Sequence, residues 1–211
     1  MATGPNQVWS WDITKLRGPT KGLWFFLYVI MDIFSRYVVG WLIAERESEA
    51  LARELIDAAC AKQGIGRGQL VLHADRGSPM VAGSVAELLD KLGITKSHSR
   101  PHVSNDNPYS ESGFKTMKYQ PTFPDRFEGI HHSRTFCGSY FLWYNQEHYH
   151  TGIALLTPAT VHYGRTAIVL AERQAIMDAA YAAHPKPLRP WSAQGGLATQ
   201  QGLDQRPSDS R

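Results

Sequence analysis

Cysteine is scarce: Cys60 and Cys137 stand far apart in 211 residues with no CxxC pair, which excludes a disulfide framework and a cysteine-rich zinc site. A reducing cytosol suits that usage. No apolar run is long enough to cross a bilayer, since the longest, residues 23–31, is followed by Asp32, Ser35 and Arg36. Residues 1–6 lack the charged-then-apolar order of a secretory signal. Excess charge is small, a formal net of +3, which is compatible with a polyanionic partner but does not name one. Internal repeats are absent. What is present is an ordinary composition, 43% hydrophobic and 19% charged, with room for one sizeable core.

Residues 8–14 alternate, with Trp9, Trp11 and Ile13 on one face and Ser10, Asp12 and Thr14 on the other, the pattern of a half-buried strand that presents Asp12 on its polar side. A Gly-Pro turn at Gly18 and Pro19 leads to residues 23–31, read as a strand buried on both faces, and then to residues 37–43. Short polar links make these three segments an antiparallel meander. Leu51, Leu55, Ala58 and Ala59 give residues 47–63 a helical period that ends in the glycine-rich stretch 64–68. A short strand at 69–74 delivers Asp75. A second helix carrying Val81, Val85, Leu88, Leu89 and Leu92 is stopped by Gly93 before a strand at 94–97.

Residues 100–106 read as a loop. At its end Asn107 can cap a helix and Pro108 suits the first helical position, where its missing N–H costs nothing; Glu111 then falls in or just past the first turn. A further helix is expected around residues 132–144. The chain divides into a lead-in at 1–7, a core at 8–165, a helical extension at 166–184 and a proline-, glycine- and glutamine-rich tail at 185–211, read as disordered. This order of elements is α/β, a mixed sheet with helices on its faces.

Isolated acidic residues are usually solvated surface groups. Asp12, Asp75 and Glu111 differ in context: one lies in a strand between tryptophans, one ends an apolar strand, and one opens a helix after a loop. Strand ends and helix starts of an α/β sheet converge on one edge. Three carboxylates gathered there repel one another, so a cation is the economical explanation, and an oxygen-only donor set suits Mg²⁺ or Mn²⁺.

Asp75 follows Asp12 by 63 positions, and thirty-five residues lie between Asp75 and Glu111. That spacing resembles the D,D(35)E signature of the retroviral integrase superfamily. The words WSWDIT, DIFSRYVVGW, HADRGSP, SNDNPYSESGFKTMKY and WYNQEHYHTG resemble those of bacterial insertion-sequence transposases made from two overlapping frames. The resemblance covers about residues 6–185. It implies a ribonuclease-H-like fold with a mixed five-stranded sheet flanked by helices. It also implies Asp12, Asp75 and Glu111 as catalytic ligands of two divalent ions, Mg²⁺ or Mn²⁺, that cleave DNA and transfer its strands. Further implications are DNA ends and target as partners, a homo-oligomer on DNA, a bacterial cytoplasmic location at the nucleoid when bound, and no membrane. Relatives usually carry a helix-turn-helix region before this core, so specific recognition is expected to need such a region or a partner protein.

Lys115 and Lys118 follow Glu111 by four and seven residues, within about 40° of its helix face, where they can meet DNA phosphates; a solvated face is the competing reading. Arg76 and Arg100 flank the site as further phosphate contacts, against ordinary surface charge. Phe114 and Met117, to one side, are read as core. Asp32, between two apolar runs, is read as a turn residue rather than a ligand. His73 shares a strand face with Asp75 and either lines the site or is a buried histidine with satisfied nitrogens. His131, His132, Cys137, His148 and His150 offer one thiol and no compact ligand pairing, so structural roles or proximity to DNA are favoured over zinc. Two rival functions stay open: a nuclease of the same fold that cuts without joining, and a transposase remnant that only binds nucleic acid. The intact acidic trio argues against decay.

Overall fold

The computed structural model describes residues 2–74, 83–98 and 108–184. In chain order the elements are β1 (Val8–Arg17), β2 (Trp24–Asp32), β3 (Val38–Ala44), α1 (Glu49–Gln63), β4 (Val71–Ala74), α2 (Gly83–Leu92) and β5 (Thr95–His98). Then follow α3 (Pro108–Lys118), α4 (Ile130–Gln146), a 3-10 turn (Thr151–Ile153), α5 (Pro158–His162) and α6 (Thr166–Ala183). One mixed sheet runs β3-β2-β1-β4-β5. The meander β1-β2-β3 is antiparallel, while β4 joins β1, and β5 joins β4, in parallel. Val81, Asn107 and the tail at 185–211 lie outside the described residues.

The period of two in β1 and β2 builds two cores, one on each side of the sheet. Trp9, Trp11, Tyr28 and Ile30 pack beneath α1 and α2 with Leu55, Ile56, Val85 and Leu89. On the other side Leu16, Leu27, Val29 and Met31 pack with Met117, Phe127 and the aromatic face of α4. Both layers are needed because β1 and β2 are interior strands. Here the expectation for β1 changes. Its polar face is not solvent-facing at the start, because α3 lies across it and Ser10 is only 1% exposed.

Two glycines end helices as the sequence suggests. Gly64 and Gly93 adopt φ of 62° and 67°, the left-handed region that lets a helix C-terminus turn back with little strain. At the β3 edge of the sheet, side chains of α4 meet the strand backbone: Asn145 donates to Val38 O at 3.0 Å and accepts from Val38 N at 2.9 Å, and Arg134 donates to Ile43 O at 3.1 Å. A buried amide thus stands in for a neighbouring strand at that residue.

Asp32 is fully buried, and its role is structural. Its carboxylate accepts from Asn6 N, from Ser35 N at 2.7 Å and from the Ser35 hydroxyl at 2.6 Å, closing the β2–β3 turn and tying down the lead-in to β1. The Ser35 proton is thereby committed to Asp32. His162 Nδ1 lies 3.0 Å from the Ser35 hydroxyl oxygen and its Nε2 2.9 Å from Gln63 Oε1; burial lowers the histidine's pKa while Asp32 opposes that shift.

Candidate active site

Asp12 sits in the middle of β1, between Ser10 and Thr14 on the same strand face. Its Oδ1 accepts from Ile13 N at 2.7 Å. Helix α3 runs along that face in the same direction as β1. At its start the Ser110 hydroxyl meets the Ser10 hydroxyl at 2.6 Å, and at its end Lys118 Nζ donates to Thr14 Oγ1 at 2.7 Å. Glu111 is the fourth residue of α3, about 100° around the helix from the inward-facing Ser110. It shares that flank with Lys118, and Lys118 feels Asp12: burial lowers its pKa while the Asp12 carboxylate pushes it up. Asp12, Glu111 and Lys118 therefore border one side of the α3–β1 seam.

Met117 is fully buried and Phe114 partly so, both on the core side as read from their spacing. Lys115 is exposed and its Nζ lies 5.8 Å from the Tyr119 ring centroid. Asp75, Arg76 and Arg100 lie outside the described residues. The register brings β4 to the site nonetheless: Ala74, the residue before Asp75, pairs with Trp11, the residue before Asp12. His73 is partly buried and its Nδ1 is 3.1 Å from the Ser97 hydroxyl on β5. Among the described residues there is no group of three His, Cys, Asp or Glu able to hold a metal ion.

Sequence reasoning missed three contributors. Ser10 and Ser110 carry no composition signal, although Ser10 does share the alternating face of Asp12. Arg36, at φ 65° in the β2–β3 turn, stacks its guanidinium 4.0 Å over the Tyr109 ring at the start of α3 and donates to Ile33 O. Nothing in the local sequence of residue 36 points to a helix over seventy residues away.

The histidine-rich segment packs the C-terminal region. His148 stacks on Tyr144, their ring centroids 5.2 Å apart, and Cys137 is buried with its thiol pushed up to about 12 by desolvation. His150 Nδ1 accepts from Gly152 N at 3.0 Å and caps the 3-10 turn. Its pKa is pushed down to about 4, by burial first, then by the Arg36 and His148 charges; burial also lowers His148. Histidines whose folded values lie below the unfolded value near 6.5 stabilise the fold fully above that pH. As pH falls from about 6.5 toward 4 the unfolded chain takes up protons first, and stability is lost. Melting temperature should therefore decline through that window, and His150→Asn, which keeps a nearby acceptor but cannot protonate, should lessen the decline. A decline of the same size in the variant would clear His150 of the effect.

Among the described residues no helix is long and apolar enough to cross a membrane. Two family models, both described as integrase core domain, match residues 2–104 and 92–158, running without a gap from 2 to 158. The chain is 33% identical over 158 residues to the transposase for insertion sequence element IS904 of Lactococcus lactis subsp. lactis (strain IL1403), covering 74% of this chain and 61% of the relative. It is 32% identical over 126 residues to transposase InsF for insertion sequence IS3A of Escherichia coli (strain K12), covering 60% of this chain and 43% of the relative. The chain thus spans about half the length of these relatives.

Among solved structures, the simian T-cell lymphotropic virus intasome in complex with PP2A regulatory subunit B56 gamma matches with TM-score 0.62 at 20% identity, over 76% of this chain and 55% of that one. The HTLV-2 integrase catalytic core domain in complex with magnesium, in a trimeric form, matches with TM-score 0.56 at 17% identity, over 77% and 99%. At such identities the likeness concerns the fold. The mixed five-stranded sheet with flanking helices is the ribonuclease-H-like fold of these cores, as expected from the sequence.

Proposed function

The chain belongs to the integrase core domain family, and on that premise we propose that it is the catalytic core of a DDE-type insertion-sequence transposase that cleaves DNA and transfers its strands. The observation that carries this reading is the seam of α3 on β1. It supports the reading because Ser110 and Lys118 meet Ser10 and Thr14 on the strand face that carries Asp12, while β4 pairs in register beside β1. Carboxylate oxygens alone, on rigid elements and open to the exterior at Glu111, suit hard divalent ions. Magnesium in the HTLV-2 core supports assigning Mg²⁺ or Mn²⁺ here, as a pair of ions. When bound, such ions supply Lewis acidity at the scissile phosphate and ease deprotonation of the attacking oxygen.

The chain's own residues hold and orient. Asp12, Asp75 and Glu111 are assigned to grip the ions, with β1 and α3 fixing two of the three. Lys118, tied to Thr14, places a cation at the edge of the site where a phosphate oxygen can accept its protons. The proposed order is hydrolysis first, in which water displaces one side of a phosphodiester and leaves a 3′-hydroxyl. That hydroxyl then attacks a second phosphodiester, expelling its 3′-oxygen. The intasome and the trimeric core among the neighbours support a homo-oligomer on DNA. Sequence-specific recognition is assigned to a separate helix-turn-helix region or protein, and action on DNA places the work in the bacterial cytoplasm.

The test is a strand-transfer assay with labelled donor ends and Mn²⁺. Joined product is expected. Cutting without joining would instead favour a nuclease of the same fold, and inactivity the remnant that only binds.

Lys115 and Lys118 are proposed as phosphate contacts, with Arg76 and Arg100 beside them. Neutralising both lysines should weaken DNA binding and flatten its salt dependence by up to about two units of logarithmic slope, since each contact contributes roughly one. Because Lys118 is held at Thr14 and Lys115 is exposed beside Tyr119, the Lys118 substitution alone should have the larger effect on cleavage. An unchanged slope in the double variant returns both to solvated surface.

A further inference from the structure

We propose that the buried Ser10–Ser110 hydrogen bond is the strut that sets how far Glu111 stands from Asp12, making both serines positioning residues. The proposal rests on the reading of Asp12 and Glu111 as cation-holding carboxylates. Ser10 precedes Asp12 by two residues on the same strand face, and Ser110 immediately precedes Glu111. Their hydroxyls are 2.6 Å apart and the residues are 1% and 2% exposed.

Short side chains turn that bond into a backbone constraint. Each Oγ lies only about 2.4 Å from its own Cα, so the bond holds the two Cα atoms within roughly 7 Å of each other. The other described contacts of α3 named above are looser. Met117 and Phe114 pack on β2 and α4 through dispersion, which tolerates small sliding. The Arg36–Tyr109 stack is a face contact at 4.0 Å and permits lateral slip. Lys118 grips Thr14 from the far end of the helix through a long flexible stem. Without the strut α3 keeps its place in the core but loses its register along β1, and Glu111 moves with it. The β1 end does not yield, because β1 is paired with β2 and β4 on its two sides.

The experiment compares the full chain with Ser10→Ala, Ser110→Ala and the double variant by Mn²⁺ titration calorimetry, melting temperature and amide exchange. Each variant removes the Ser10–Ser110 bond and should melt below wild type. Mn²⁺ affinity should be weakened by about tenfold, the scale at which supports behind metal ligands act, and to the same extent in all three, because either substitution already breaks the one bond. That equality separates positioning from stability: if the serines only packed the seam, Mn²⁺ affinity would follow melting temperature across the three variants. Such tracking, or singles that bind Mn²⁺ like wild type, overturns the proposal. If wild type takes up no Mn²⁺ at all, the cation reading fails and exchange decides the strut. Amides of residues 110–113 exchanging about tenfold faster in all three variants uphold it, and unchanged exchange overturns it.

Discussion

Exchanging Asp12, Asp75 or Glu111 for its amide, one at a time, is expected to cut both nicking and joining by roughly a thousandfold or more, about 4 kcal/mol of transition-state stabilisation. Fold and melting temperature should barely move. Asn at position 12 retains an oxygen for the Ile13 N–H that Asp12 now accepts at 2.7 Å, and Glu111 is solvent-exposed. An amide keeps the shape but loses the charge that grips a divalent ion. Asp12→Asn carries a second consequence. The Asp12 carboxylate opposes the burial that lowers the Lys118 pKa, so its removal should lower that pKa further, visible in the titration of the Lys118 ammonium by NMR. Any single variant retaining more than a tenth of wild-type joining would remove that carboxylate from the site.

Asp32→Ala should be the most damaging change away from the site, with a loss of about 3–5 kcal/mol of folding stability. Three donors, Asn6 N, Ser35 N and the Ser35 hydroxyl, would lose their acceptor where Asp32 and Ser35 are fully buried, and each orphaned group costs about 1–3 kcal/mol. His162, whose Nδ1 lies 3.0 Å from the Ser35 hydroxyl oxygen, would be loosened next, carrying the defect into α5. Denaturant unfolding measures the loss. Asp32→Asn should cost less, since one oxygen can still serve Ser35. If both variants unfold at the wild-type midpoint, the carboxylate is not the anchor of this turn.

Strong periodicity made much of the fold legible. Alternating apolar residues in β1 and the long apolar stretch of β2 specify strands, because a strand buried on one or both faces has no other way to hide those side chains. Leu51, Leu55 and Ala59 specify α1 by helical spacing, and Gly93 ends α2 because its φ of 67° suits glycine. Boundaries were less legible: β1 extends to Arg17 and α4 from Ile130 to Gln146, since pairing and packing carry an element past its last periodic residue. Of the proposed site, chain spacing and local words nominated Asp12, Asp75 and Glu111. Lysines at four and seven residues from Glu111 were visible from helical geometry alone.

What the sequence by itself determined, then, is the kind and order of elements, the two-sided burial of β2 and the residue types offered to the site, because these follow from short-range period and side-chain chemistry. Only the tertiary structure decided which of those elements touch. Ser10 and Ser110 are a hundred positions apart and Arg36 and Tyr109 seventy-three, and Asn145 finds Val38 across the sheet edge. Such pairs depend on how α3 and α4 dock against the strands, and docking is chosen by the summed packing of both cores rather than by any local pattern. Two serines at those positions read as ordinary polar residues in a chain. Packed together they become a rigid link between the strand of Asp12 and the helix of Glu111.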